Sequence, residues 1–228
     1  VDGDGARKMM EVMGNFTSGS EVGLLAPTGM VWFAIFRFSA DGYVKDDDKD
    51  KLNADKILRS IREGTEEANS ERKLRGWPTM KVVGWQHEPS YNESTHNLEW
   101  AVIGESEGER VVNYNTRILG RRGVMEVKLV VASEELQASL PAYKQLLGTF
   151  DYMAGERYAE YKQGDKLAEY GLTALVAGAL LGEKVRPAQW AGLALGFTGV
   201  ALVVAGKVAT VRTDSYMGAA SYRIEAQS

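Results

Sequence analysis

The stretch RVVNYNTRILGRRGVMEVKLVVA, residues 110–132, decides the fold. It contains two runs rich in β-branched and apolar residues, 110–119 and 124–132, each with the length and composition typical of a β-strand. The four residues GRRG at 120–123 lie between them, and their glycines indicate a tight hairpin turn. Two strands joined by so short a turn pair antiparallel, because a parallel pair needs a long crossover connection.

Three further strands are predicted upstream of this hairpin. Residues 80–85 and 97–104 are strand-like runs bounded by turn-forming residues. Residues 30–38 (MVWFAIFRF) are apolar on both faces, which indicates a central strand. Since short turns connect most of these runs, the sequence predicts a mostly antiparallel sheet.

Two helices are predicted to pack on this sheet. The first extends from about residue 53 to residue 75 and ends where Gly76 and Pro78 interrupt the helical pattern. The second begins after Ser133, whose side chain is a typical N-terminal cap. The predicted fold class is therefore α+β, a mostly antiparallel sheet with flanking helices, in a soluble domain that covers residues 1–150.

The polarity of the chain changes sharply near residue 169. Residues 170–182 contain no charge, and neither do the 20 residues 187–206. A helix needs ~20 residues to cross ~30 Å of hydrocarbon, so the second segment is long enough to span a bilayer, whereas the first would have to extend backward. The charged turn EKVR at 183–186 separates them. We therefore predict a C-terminal transmembrane helical hairpin; the alternative is a helical pair buried in a soluble core.

This hairpin sets the remaining domain boundaries. It covers residues 169–206, a juxtamembrane helix or linker at 151–168 precedes it, and a tail at 207–228 follows it. At the other end, Val1 is not an initiator methionine. We therefore expect either that a targeting segment has been removed or that the sequence begins partway into the gene product.

Small residues on both apolar segments predict close packing against other helices. Gly192 and Gly196 form a GxxxG pair that Gly199 extends, and Gly171 and Gly178 lie on the first segment. Small residues let helix backbones approach closely in lipid. We therefore expect membrane lipid as a partner, together with other transmembrane helices, supplied by a larger membrane complex or by a second copy of the chain.

Composition excludes several kinds of site. The chain has no cysteine, so it has no disulfide, no thiolate metal ligand and no cysteine nucleophile. Its formal net charge is −4, which does not favour nucleic acid as a partner. Neither a Ser–His–Asp order nor a phosphate-binding glycine loop stands out. We therefore expect no cofactor, assign no catalytic residue, and interpret the domain as non-catalytic rather than as an enzyme.

Arginines at the predicted hairpin form the best candidate binding site. Arg117, Arg121 and Arg122 lie close to Asn113 in the run NYNTRILGRR. Guanidinium groups at a turn can bind phosphate, a lipid head group or the carboxylates of a partner. Charged side chains at turns are also commonly just solvated, which is the alternative interpretation.

His96 completes the set of candidate ligand-binding residues. His87 and His96 are the two histidines of the chain, and glutamates lie nearby at 88, 93 and 99, so a metal site or an acid–base pair is conceivable. The run HEPSYNESTH lacks the helical HExxH spacing, however, and its proline predicts a loop. A structural role for His96 is therefore favoured, and we expect no metal site.

The acidic run KDDDKDK at residues 45–51 is a second conceivable metal site. It lacks the alternating spacing and the distal glutamate of a calcium loop, and its lysines neutralise much of its charge. We interpret it as a solvated loop before a helix.

Several short segments of this sequence occur together: GYVKDD (42–47), GW (84–85), Tyr91, HNL (96–98) with Trp100, NYNTRILGRRG (113–123), GDK (164–166) and EYG (169–171). With these segments, over about residues 1–178, the chain resembles a bacterial family of predicted membrane-anchored proteins, the domain of unknown function 2167. The resemblance implies an exported domain with a C-terminal anchor, hence a protein of the bacterial inner membrane with a periplasmic domain, and it implies no activity.

Two weaker likenesses concern the fold alone. The order of strands and helices is similar to that of the extrinsic proteins associated with photosystems, which bears on fold and not on function. Beyond residue 178, the apolar segments are similar to the last helical hairpin of drug/metabolite transporters. A fragment of two helices cannot enclose a transport path, so we infer no transport.

Together these observations predict a membrane-anchored envelope protein that acts as an interaction or scaffold domain, or as an accessory subunit of a membrane complex. The alternative is an enzyme or a binder of a small ligand or anionic head group that uses the region of His96 and Arg117. A deep pocket lined by His96, Glu99, Asn113 and Arg117 would favour this alternative.

Overall fold

Six strands form one antiparallel sheet in the computed structural model, which describes residues 1–12, 17–74 and 76–177. The strands lie in the order β1-β2-β6-β5-β4-β3, so the predicted α+β class and the mostly antiparallel sheet are confirmed. The elements are α1 (Gly3–Val12), β1 (Glu21–Leu25), β2 (Trp32–Ser39), α2 (Ala54–Leu74), β3 (Lys81–Asn92), β4 (Asn97–Ser106), β5 (Glu109–Leu119), β6 (Val124–Ala132), α3 (Leu136–Gly148) and α4 (Leu172–Ala177).

The β5–β6 hairpin lies at the centre of the sheet. The N–H of Gly120 donates to the carbonyl of Gly123 over 2.9 Å and closes the turn between the two strands. On either side of this hairpin, β4 pairs with β5 and β2 pairs with β6. The apolar run at 30–38 thus becomes an interior strand, flanked by β1 and β6, as its two apolar faces predict.

Alternate residues of the central strands face two separate cores. On one face, which we call the helix-rich face, side chains of α1, α2 and α4 join those of the strands. On the other face, α3 covers the sheet, and the Tyr143 hydroxyl hydrogen-bonds the Thr116 hydroxyl of β5 over 3.0 Å. β5 is buried from Val111 to Leu119, because it has neighbouring strands on both sides and helices on both faces.

Both predicted helices are present, although the second one begins differently from the prediction. The helix predicted from about residue 53 to 75 is α2. The side chain of Ser133 does not cap α3, because a 3₁₀ turn at Ser133–Glu135 precedes that helix. In α2, by contrast, Asn53 accepts a hydrogen bond from the N–H of Lys56 over 2.9 Å and acts as its N-terminal cap.

After α3 the chain returns to the helix-rich face as a segment that we call the C-terminal strap, residues 152–177. Tyr158, Leu172 and Val176 of this strap are buried in the core of that face. The packed structure therefore continues past residue 150, where the predicted soluble domain ends. Where a juxtamembrane helix or linker was predicted at 151–168, the strap forms bends and turns with a 3₁₀ turn at Tyr158–Glu160.

Asp48 holds the start of α4 in place. Its two carboxylate oxygens accept hydrogen bonds from the N–H groups of Leu172 and Thr173, over 2.9 and 3.0 Å. The first N–H groups of a helix have no partner within the helix, and a carboxylate satisfies them while complementing the helix dipole. Gly171 fits this arrangement, because a Cβ there would lie 2.7 Å from Asp48 Oδ1. Gly171 therefore faces Asp48, whereas the sequence predicted that it packs against another transmembrane helix.

The predicted transmembrane hairpin at 169–206 lies mostly outside the described residues, and so do Gly178, Gly192, Gly196 and Gly199. The part of it that is described ends with α4, whose apolar side chains pack into the domain. Across residues 1–12, 17–74 and 76–177, no helix combines the length and the apolar character needed to cross a bilayer.

Replacing Leu172 by alanine tests whether α4 belongs to the domain core. Because Leu172 is 0% exposed, we expect Leu172→Ala to lower the free energy of unfolding of a fragment covering residues 1–177 by about 2–5 kcal/mol. Leu167 belongs to the same strap but is 40% exposed, so Leu167→Ala should change it by less than about 0.5 kcal/mol. Urea unfolding followed by circular dichroism measures both. Equal, small effects of the two substitutions would mean that α4 does not pack on the sheet.

Candidate functional site

The five residues predicted to bind a ligand lie in different environments. Asn113 and Arg117 project from β5 onto the helix-rich face, where both are buried. Arg121 and Arg122 follow in the turn between β5 and β6. His96 lies in the turn between β3 and β4. The fold therefore distributes these residues instead of gathering them around one pocket.

Arg121 is a structural clamp on the C-terminal strap. Its Nε and Nη2 donate to the two carboxylate oxygens of Asp165 over 2.6 and 2.7 Å, and its Nη1 donates to the carbonyl of Gly155 over 3.0 Å. Such two-pronged contact fixes the geometry of both side chains. The guanidinium group thus has three strong acceptors from the strap, and the prediction that Arg121 binds a ligand has no support in this arrangement.

The ion pair with Arg121 lowers the pKa of Asp165. The adjacent Arg121 guanidinium, assisted by the N–H of Lys162, lowers the pKa of Asp165 to about 2. The ordinary pKa of an aspartate in an unfolded chain is ~3.9. The folded state is therefore fully stabilised by this carboxylate above that pH, and the stabilisation is lost as the pH falls towards about 2.

Arg122, the next residue, lies at the surface. Its side chain is 64% exposed and its Nη2 lies 3.0 Å from the Glu156 carboxylate. Exposed pairs of this kind contribute little to stability because water and salt screen them. Of the two arginines in the turn, Arg121 therefore stabilises the fold. Arg122 matches the alternative interpretation, in which a charged side chain at a turn is mainly solvated.

His96 lies in a cluster of tyrosines. Its ring centroid is 4.4 Å from that of Tyr158, and its Nδ1 is 3.0 Å from the hydroxyl of Tyr91. The same hydroxyl donates to Asp46 Oδ2 over 3.0 Å, so His96 is connected to the acidic run through Tyr91. The favoured structural role of His96 agrees with these contacts. The acidic run itself is more than a solvated loop, because Asp46 and Asp48 each bind another segment.

Glu99 projects to the opposite face of the sheet from Arg117. Its carboxylate accepts hydrogen bonds from Lys144 Nζ, at 2.5 and 2.6 Å, and from the hydroxyl of Tyr114 at 3.0 Å. Glu99 is paired with Thr116 of β5 and lies on the same face as that residue, which α3 covers. Asn113 and Arg117 point to the other face, because successive side chains of a strand alternate, so Glu99 cannot share a pocket with them. The pocket that would have favoured an enzyme or ligand binder at these four residues is not formed.

A surface pocket of about 230 Å³ lies elsewhere, between the turn at Lys49–Lys51 and the β3–β4 hairpin. An ion pair of 2.6 Å between Lys49 and Glu93 lines it, and Tyr91 contributes to its wall. Among the described residues, no group of three or more histidine or acidic side chains is placed to hold a metal ion.

Charged side chains meet in the middle of the helix-rich face, in what we call the buried charge cluster: Arg37 of β2, Glu126 and Lys128 of β6, and Arg117 of β5. Strand register brings them together, since Glu126 pairs with Arg37 on one side and with Arg117 on the other. Glu126 Oε2 lies 3.3 Å from Arg37 Nη2 and 3.4 Å from Arg117 Nη2. The Arg117 guanidinium also lies 5.0 Å above the ring of Trp100.

Burial and like charges shift the titration of this cluster. Burial lowers the pKa of Lys128, and the nearby Arg37 and Arg117 lower it further, to about 7. Burial acts to raise the pKa of Glu126, but Arg117, Arg37 and Lys128 outweigh it and hold this pKa below its ordinary value. Glu126 is therefore ionised at neutral pH, whereas Lys128 is poised between its two protonation states.

Sequence reasoning missed three members of the cluster, although a signal was present. In the run VMEVKLVV, Glu126 and Lys128 alternate with apolar residues, so both must lie on one face of a strand that is buried on both sides. Arg37 is the one charge in the apolar run at 30–38. A charged side chain in a strand that is buried on both faces requires a partner. The many apolar residues around these three charges made this signal easy to overlook.

Removing the guanidinium of Arg121 tests the clamp. We expect Arg121→Met to be less stable than the wild type at neutral pH, and the difference to shrink as the pH falls from about 4 to about 2, because Asp165 is progressively protonated as the pH approaches its folded-state pKa. Thermal unfolding across this pH range measures the difference. Arg122→Met, which removes a neighbouring exposed arginine, is the matched control and should follow the wild type throughout. A stability difference for Arg121→Met that is independent of pH would contradict the role of Asp165.

Two solved structures from Pseudomonas aeruginosa show partial likeness to this chain. PA94, a protein of unknown function and proposed regulator, has 16% sequence identity over 53% of this chain and 72% of its own, with a TM-score of 0.30. The T6SS immunity protein TplEi, solved with a peptide, has 14% identity over 61% of this chain and 47% of its own, with a TM-score of 0.34. At such low similarity neither likeness carries an inference about function. No curated protein matches the sequence.

A family model gives the identification. The model described as protein of unknown function (DUF2167) matches residues 1–210 of the 228. The match confirms the resemblance predicted over residues 1–178 and extends beyond it into the apolar segments that were compared with transporter helices. The chain therefore belongs to the DUF2167 family of proteins of unknown function.

Proposed function

We propose that this protein is a membrane-anchored protein of the cell envelope whose α+β domain acts as an interaction module or as an accessory subunit of a membrane complex, without catalysing a reaction. One observation carries the proposal: the strap is fixed to the sheet just before the long apolar segment at 187–206. Arg121 holds Asp165, Asp48 holds the start of α4, and the backbones of Tyr43 and Leu167 form a bridge. A membrane anchor attached through such a strap would hold the sheet in a defined position relative to the bilayer. A scaffold domain needs such a defined position to present its surface to partners.

The segment that we propose to cross the membrane is 187–206. Its 20 uncharged residues can span the hydrocarbon without help from neighbouring residues. The first segment of the predicted hairpin, 170–182, overlaps α4, whose Leu172 and Val176 are buried against the domain. A hairpin would require these side chains to leave the core, so burial favours a single crossing.

Location and partners follow from the same proposal. The family resemblance supports the bacterial inner membrane, with the domain in the periplasm. Gly192, Gly196 and Gly199 would form a small-residue face on the crossing helix, suited to a helix of a partner subunit or of a second copy of the chain.

Cysteine labelling tests the single crossing, since the chain has no cysteine of its own. Single cysteines at Ser94, Lys184 and Ser228 are exposed to a membrane-impermeant thiol reagent in intact spheroplasts. We expect Ser94→Cys and Lys184→Cys to react and Ser228→Cys to be protected until the membrane is permeabilised, because one span places the tail on the other side.

The remaining labelling patterns discriminate among alternatives. Reaction at Ser94→Cys and Ser228→Cys with protection at Lys184→Cys would establish the hairpin and refute the single crossing. Release of the full-length protein into the aqueous phase by carbonate washing would refute the anchor itself. In that case the apolar segments belong to a soluble assembly.

Leucine substitutions test the small-residue face. Gly192→Leu combined with Gly196→Leu should weaken association of the protein with its partner helices, because larger side chains keep the helix backbones apart. Leu193→Ala with Leu195→Ala alters neighbouring positions of the same segment and serves as the control. Size-exclusion chromatography in mild detergent compares the assemblies. An unchanged assembly in the glycine variant would show that this face is not an interface.

A further inference from the structure

The surface pocket beside the β3–β4 hairpin has side-chain rings in one part of its wall and charged groups in another. The rings belong to Pro89 and Tyr91, which are two residues apart on β3. The charges belong to Lys49, Asp50 and Glu93. Sites for small molecules combine apolar contact area with a few polar groups that fix the orientation of the ligand. The lining of this pocket has both components.

Tyr91 forms a fixed part of the wall. Its hydroxyl donates to Asp46 Oδ2 over 3.0 Å and lies 3.0 Å from His96 Nδ1. Burial and the Asp46 carboxylate raise the pKa of Tyr91, so the phenol stays protonated and keeps this hydrogen bond. The hydroxyl is thus occupied by the protein, and the ring is the part of Tyr91 that a ligand can contact. A side chain held in this way loses little freedom when a ligand binds.

The charged part of the wall favours a neutral ligand. Lys49 Nζ lies 2.6 Å from Glu93 Oε2, and this carboxylate raises the pKa of Lys49, so the ammonium stays charged. An anion in the pocket would meet the carboxylates of Glu93 and Asp50, and a cation would meet the ammonium of Lys49. A hydroxyl group accepts a hydrogen bond from an ammonium and donates one to a carboxylate, so it can use both without separating the ion pair.

The size of the pocket limits the ligand to one small ring. Its volume of about 230 Å³ lies below the ~300–1,000 Å³ of sites for drug-sized molecules. β3 is the outermost strand on its side of the described sheet, so the pocket opens at a sheet edge. The side chains of Lys49 and Glu93 are 32% and 67% exposed, so a ligand that enters from solvent can reach both.

We propose that this pocket binds a single neutral sugar ring, which packs on Tyr91 and Pro89 and forms hydrogen bonds through its hydroxyls with Lys49, Asp50 and Glu93. A sugar ring in the chair form has C–H groups on its faces and hydroxyls around its edge. The faces make dispersion contacts with the side-chain rings, and the hydroxyls form charge-assisted hydrogen bonds with the ammonium and the carboxylates. This binding activity goes beyond the proposed scaffold role and does not depend on the membrane anchor.

Saturation-transfer NMR of the full-length protein tests this inference with glucose and N-acetylglucosamine as probes. The protein is kept in lipid nanodiscs, because detergents with sugar head groups would compete. A single ring has few atoms with which to bind, so we expect saturable binding of at least one sugar, with a dissociation constant on the order of 1 mM. Tetramethylammonium chloride and sodium acetate are the charged probes, and we expect neither to show saturable binding.

Substitutions in the wall connect the binding to this pocket. Lys49→Met removes a charged donor and should weaken sugar binding about tenfold. Exposed ion pairs contribute little to stability, so this variant should remain folded, as circular dichroism will show. Lys51→Met is the matched control, because Lys51 belongs to the same 3₁₀ turn, is exposed and does not line the pocket. Tyr91→Leu should abolish saturable binding, whereas Tyr91→Phe retains the ring and should retain most of the affinity.

Several results would overturn the proposal. They are the absence of saturable binding of both sugars by the wild type, equal affinities of the wild type and Lys49→Met, and stronger binding of a charged probe than of either sugar. An equal loss of affinity in Lys51→Met would indicate a general effect of surface charge and would also overturn it. If Tyr91→Leu does not fold, the comparison of Lys49→Met with Lys51→Met decides.

Discussion

The pairing of β5 with β6 is the constraint on which the rest of this structure depends. Because side chains alternate between faces, this one register decides which residues enter which core: Arg117 meets Glu126, Asn115 meets Lys128, and Thr116 turns towards α3. A shift by one residue would move the charges onto the face that α3 covers. The same pairing positions the turn after β5, where Arg121 grips the C-terminal strap.

The family-specific segments converge on the joint between sheet and strap. Gly42 donates its N–H to the carbonyl of Arg122, and a Cβ at Gly42 would lie 2.6 Å from the carbonyl oxygen of Lys166. Gly42 adopts a φ of 110°, which glycine tolerates and other residues rarely adopt. Tyr43 follows and pairs its backbone with the strap at Leu167. One contact thus contains the motifs GYVKDD, NYNTRILGRRG and GDK. Their occurrence together has a structural explanation, and it assigns no activity.

Local patterns in the sequence predicted five of the six strands, but they missed β1, took the second half of β3 for a loop and did not reveal the site. Runs of β-branched residues and a glycine turn predict the hairpin, and an apolar stripe predicts α2, because these signals depend on neighbours in sequence. The partners of Asp48 and Arg121 lie far along the chain, at Leu172 and Asp165, and no local spacing reveals such pairs. Hydropathy likewise cannot distinguish a short apolar segment in lipid from one in a protein core, which is why α4 was predicted to be part of a transmembrane hairpin.

The contact between Asp48 and α4 also constrains the order in which the chain acquires its structure. The first N–H groups of this helix have no acceptor within the helix, so they depend on a carboxylate that lies 124 residues earlier in the chain. This support exists only once the sheet has brought the loop of Asp48 to the helix-rich face, and contacts between residues so far apart in sequence form slowly. During synthesis on the ribosome, Asp48 emerges well before the segment at 172–177, so the first turn of α4 gains this support at a late stage of domain folding.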